Sequence, residues 1–148
     1  MKTILMSIAL IVVSAVATAA EPMSPPALPA TSPSPAGAAV YFIEPLDGAT
    51  VTPTFTVKFG LRGMGVAPAG TDVPNTGHHH LLVDVADLPD AKLPLPANER
   101  FLHFGKGQTE TQVTLARGTH TLQLVVGNYL HIPHDPPVMS KSITVTVE

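Results

Sequence analysis

From Val40 onward, apolar and polar residues alternate with a period of two, the repeat of a half-buried β-strand. Val40 and Phe42 lead into the turn Pro45-Leu46-Asp47-Gly48. Phe55, Val57, Phe59 and Leu61 then alternate with Thr54, Thr56, Lys58 and Gly60, which predicts a strand with one face in a core. Further strands are predicted at His78 to Val85, Thr109 to Leu115, Thr119 to Val126 and Ser142 to Val147. Phe101 to Phe104 is short enough to be a strand or a loop edge, and Gly63 to Gly70 reads as a glycine-rich loop. No window sustains a helical period. The pattern predicts an all-β fold, an immunoglobulin-like β-sandwich of about seven short strands.

The first residues follow a different rule. Met1-Lys2 is a short positive start, Ile4 to Val16 is almost wholly apolar, and the small residues Ala17 to Ala20 follow. This is the form of a signal peptide over residues 1–19, with Ala17 and Ala19 at the positions where the peptidase needs small side chains. A cut after Ala20 is the neighbouring alternative. The apolar run is shorter than the roughly 20 residues that span a bilayer, so stable membrane insertion after cleavage is not expected. Residues 20–38 are Pro, Ala, Ser and Thr-rich and read as a disordered tether. Residues 39–148 read as a single domain. The expected location is periplasmic or secreted.

Composition narrows the chemistry. There is no cysteine, so an exported domain of this kind has neither disulfides nor thiolate ligands. The formal charge is −3, and no basic stretch offers a nucleic-acid or membrane-surface footprint. Against no Trp and two Tyr stand seven His.

The histidines fall into groups. On a strand, His78 and His80 share one face with Leu82 and Asp84, while His79 turns to the core with Leu81, Val83 and Val85. Two imidazoles at i and i+2 can converge on one ion, and zinc and copper(II) accept imidazole without sulfur. Otherwise such histidines are ordinary hydrogen-bonding residues. His131 and His134 flank Ile132-Pro133 in a proline-stiffened stretch that could aim both rings at one point or be a plain polar loop. His103 lies among Phe101, Leu102 and Phe104, with Glu110 downstream as an auxiliary carboxylate alongside Asp84. His120 shares a face with Leu122, Leu124 and Val126 and reads as a buried, hydrogen-bonded structural residue. Met64 and Met139 are soft donors in principle and packing residues by default.

The blocks Gly63 to Gly70, Gly77 to Leu82, His103 to Glu110, Gly118 to Leu124 and His131 to Ser140, in that order, resemble the bacterial family of domains of unknown function numbered 4399. The resemblance covers about Val40 to Glu148 and implies an exported domain with a histidine-rich signature. The architecture is also similar, more loosely, to small periplasmic β-sandwich copper proteins.

Two functions compete. One is a non-catalytic periplasmic metal-binding module, with copper, or alternatively zinc, held by His78, His80, His103, His131 and His134. The other is an envelope interaction domain with a protein partner and no metal, whose histidines form a buried hydrogen-bond network. A metal-dependent enzyme would need an open coordination position beside a general base, and no catalytic constellation is visible.

Overall fold

A computed structural model describes residues 31–148. The expected signal peptide and the first part of the expected tether lie outside the described residues. Among the described residues nine strands form, in the order β1 (Ala39–Glu44), β2 (Ala49–Val51), β3 (Thr54–Arg62), β4 (Gly65–Val66), β5 (Thr76–Val83), β6 (Phe101–His103), β7 (Glu110–Thr114), β8 (Gly118–Gly127) and β9 (Ile143–Val147). They make two sheets, β1-β3-β7 and β2-β9-β8-β5-β4, with β6 added on β5. The order β1-β3-β7 facing β9-β8-β5 is that of strands A-B-E against G-F-C in an immunoglobulin-like sandwich. The fold is therefore the expected one, with two strands more.

The two additional strands are short. β2 runs parallel to β9 from Ala49 to Val51, and β4 runs parallel to β5 over Gly65 and Val66. Pieces of two or three residues are too brief to display a period of two, so β4 lies inside what the sequence reads as loop.

The core lies between the sheets. Val57, Phe59, Leu81, Leu122, Leu124, Val126 and Val145 are all at most 1 % exposed and pack in one cluster. Each comes from an alternating position, so burial of one face per strand drives the assembly. His79 joins this side, its ring tilted on Phe59 at 4.6 Å between centroids. The opposite face of β5 and β8 carries a second, smaller cluster. There Leu82, Val125, Leu95 and Phe101 pack together under the connection between β5 and β6.

The domain also begins earlier than residue 39. The Ser34 amide donates to the Asp135 carbonyl at 3.1 Å, the Asp135 amide donates to Ser32 at 2.9 Å, and the Ser34 hydroxyl donates to Pro136. The last part of the proline-rich segment thus finds backbone partners on the loop before β9, which offset the cost of ordering it.

Candidate metal centre

β5 is flanked along its outer face by groups from three other segments. His78 and His80 project there, fully buried. β6 runs antiparallel alongside and sets His103 directly opposite His80. On the other side β8 places Gly127 opposite His78. The loop after β8 brings His131 over the group.

That loop is built around Asn128. Its side-chain oxygen accepts from the amides of Leu130 at 2.9 Å and Ile132 at 3.1 Å, and its carbonyl accepts from the His131 amide at 2.8 Å. The tight winding holds His131 at φ 68°, the left-handed region that non-glycine residues adopt at a cost. The His131 carbonyl accepts from the Leu95 amide, which ties the loop to the cover of the second cluster.

Four imidazoles meet as a result. Centroid separations are 4.8 Å for His78–His80, 5.0 Å for His78–His103, 5.0 Å for His78–His131, 5.1 Å for His80–His103 and 4.7 Å for His103–His131. The sixth, His80–His131, is 6.1 Å. An ion about 2.0–2.1 Å from four imidazole nitrogens sits about 3.2 Å from each ring centre, so a tetrahedron sets centroids about 5 Å apart. A square plane would instead put two pairs at about 6.3 Å. One long separation among six is nearer the tetrahedron. Nitrogens of His78, His80 and His103 lie within 4.8 Å of one another, and the His131 ring stands beside all three.

Burial makes the arrangement expensive. Both nitrogens of His78, His79 and His80 are buried and make no hydrogen bond of good geometry, although the His78 backbone acts on the His80 ring and the Gln108 backbone on that of His79. Leaving such groups unpaired costs about 1–3 kcal/mol each, which an ion would offset in part by taking one nitrogen from each of His78 and His80. Burial pushes the imidazole of His78 down to about 4 and that of His80 to about 3, and the neighbouring histidines push both in the same direction. Burial lowers His79 to about 4 as well, while burial and then His131 lower His103. These rings are held neutral, the state in which imidazole binds a metal. His103 is the most accessible of the three close histidines.

The remaining candidates are placed elsewhere. His134 is buried, with Nδ1 3.3 Å from the Val126 carbonyl, and its ring lies against Gly77, on the His79 side of β5. It still acts electrostatically on His78, but it lines a different cleft with Ser32, Thr71 and Tyr129. Asp84 does not share the face of His78 and His80, because β5 ends at Val83 and Asp84 takes φ 53°. Its carboxylate accepts instead from His120 Nδ1 at 2.7 Å and from the Thr121 amide at 2.8 Å. His120 Nε2 meets the Ala116 carbonyl at 2.9 Å, so both ring nitrogens donate and the hydrogen bond to Asp84 leads in raising its pKa. His120 is thus the hydrogen-bonded structural residue expected, though half-buried. Glu110 is exposed on β7 and pairs with Lys58 of β3, both in the sheet that does not carry the histidine cluster. Met139 packs on the second cluster beside Val125.

No residue type outside those foreseen enters the centre, but two glycines do. Gly127 and Gly105 lie against the His80 and His103 rings, and a spacing argument gives no hint of that.

No curated protein matches the chain. Among solved structures, the fibronectin(III)-like modules of Clostridium thermocellum CbhA are similar at 11 % identity and a TM-score of 0.37, covering 73 % of this chain and 92 % of that one. The model of DUF4399, a domain of unknown function, matches residues 57–148, a span that holds every histidine described above. The chain belongs to the DUF4399 family.

Proposed function

We propose that the chain is an exported, non-catalytic metal-binding module that holds one copper or zinc ion on His78, His80, His103 and His131. The observation that carries this reading is the meeting of four imidazoles around two fully buried rings whose nitrogens make no hydrogen bond of good geometry. An all-imidazole donor set suits both metals. Copper(II) binds such a set more tightly than zinc, while the near-tetrahedral spacing matches zinc's preference. Four protein ligands would leave no open coordination position, which fits storage, delivery or a structural role better than catalysis. Export to the periplasm is supported by the pattern of residues 1–20.

Isothermal titration of the metal-free protein with copper(II) and with zinc tests the proposal. One ion per chain with Kd below about 1 μM, a free energy beyond about −8 kcal/mol, is expected. Weaker or non-stoichiometric binding of both metals overturns it. The alternative, an envelope interaction domain with a hydrogen-bonded histidine network, is favoured by His120 and His134, which do bond to carboxylate and backbone. His78 and His80 do not follow that pattern.

A further inference from the structure

Gly105 and Gly127 are the glycines that border the histidine cluster, and their backbones give no reason for glycine. Neither has a positive φ, unlike Gly63, Gly70 or Gly107. Gly127 is the last residue of β8 and is paired with His78 of β5, a position that any residue with a side chain could occupy as far as φ is concerned. Something other than chain conformation needs the missing Cβ.

The neighbouring rings supply the reason. A Cβ at position 127 would stand 2.7 Å from His80 Cε1 and 3.2 Å from its Nδ1. A Cβ at 105 would strike His103 Cε1 and lie 2.6 Å from its Nε2. The two histidines are direct partners across β5 and β6, so the two glycines border them from opposite sides. The His80 ring is fully buried.

We infer that Gly127 and Gly105 are positioning residues that seat the imidazoles of His80 and His103 for metal binding, an inference that rests on the metal-binding reading above. Gly127 fixes the buried ligand and Gly105 the more accessible one. Neither glycine touches the ion. Each acts by leaving room for a ring at the position from which its nitrogen can meet the others.

The test compares Gly127→Ala and Gly105→Ala with Gly65→Ala, where an added Cβ would meet only Thr76 Cγ2 at an ordinary 3.4 Å. Protein is purified after expression of the full chain. Affinities for copper(II) and zinc are measured, together with the apo melting temperature and the ¹⁵N resonances of the imidazoles. The expected result is a loss of about 10- to 100-fold in metal affinity for Gly127→Ala and Gly105→Ala, the range found when groups that orient ligands are altered. The His80 or His103 resonances shift with it, and Gly65→Ala behaves as the parent protein. Unchanged affinity in both variants overturns the inference. If Gly127→Ala does not fold, Gly105→Ala beside the more accessible His103 decides the matter. If the parent protein binds neither metal, the functional reading fails, and the imidazole resonances alone judge the seating: displaced rings support it and unmoved rings overturn it.

Discussion

His80 shows why the buried imidazoles are informative. Buried imidazole nitrogens without a hydrogen bond of good geometry are a cost to the fold that an apolar side chain of similar size avoids, a cost that the core-facing His79 shares with His78 and His80. His80→Leu is therefore expected to stabilise the metal-free protein by about 1–3 kcal/mol and to abolish metal binding. Denaturant melts of apo protein read the first effect and titration reads the second. A destabilised variant would mean that the ring serves the fold. Acid gives a related signature. The folded-state pKa values of about 4 for His78 and about 3 for His80 lie below the ordinary 6.5, so the unfolded chain takes up protons that the folded one refuses. The stability of the apo protein is full above about pH 6.5 and falls as pH drops toward 4. His120 has the opposite sign, because its raised pKa contributes stability below 6.5 that is lost as pH climbs through the folded value. Melting temperatures from pH 7 to pH 4 should show the net loss, and His80→Leu should make it shallower. The pairing of His78 with His80 was legible from strand parity. Asp84 was misplaced by the same rule, because parity continues only as long as the strand does, and β5 stops one residue short.

Among the elements, β5 and the loop after β8 divide the work. β5 is a central strand held by β8 along six registered residue pairs, so it fixes His78 and His80 rigidly. The loop depends on one side chain. Asn128→Ala removes the acceptor that gathers the Leu130 and Ile132 amides, and the loss of such buried bonds costs about 1–3 kcal/mol. His131 would relax from its left-handed conformation. We expect weaker metal binding with His78 and His80 undisturbed, read by titration and by their imidazole resonances; equal affinity would show that His131 is dispensable. Substitution of His134 by Ala should leave affinity within a few-fold. The strands around the core were legible because each runs long enough to repeat its alternation. The separation of His131 from His134 was not, since a three-residue spacing through Pro133 specifies no direction until Asn128 has wound the loop. β2 and β4 leave no mark in the sequence because their short pairings are dictated by neighbours rather than by their own residues.

For the whole molecule, the matched family span begins inside β3, yet β1 and β2 lie before it and complete both sheets. The folding unit is larger than that span, and the docked Ser32–Ser34 segment extends it further. Without disulfides the sandwich depends on its core, and the unpaired imidazoles draw on that stability. Metal should return it. At 100-fold excess over Kd a ligand that binds only the folded state adds about 2.7 kcal/mol, a rise of several degrees in melting temperature for a domain of this size. The rise should reverse with a chelator and vanish in His78→Ala. Such a shift, seen by scanning calorimetry, would separate a site coupled to the fold from adventitious surface binding, which leaves the melt unchanged.

X-ray absorption at the metal edge, on protein loaded with one equivalent of copper or zinc, tests the central claim most directly. Four nitrogen neighbours at about 2.0–2.1 Å, with the outer-shell scattering of imidazole rings, are the expected result. A first shell dominated by oxygen, or one with fewer than three imidazoles, would contradict a centre built by His78, His80, His103 and His131.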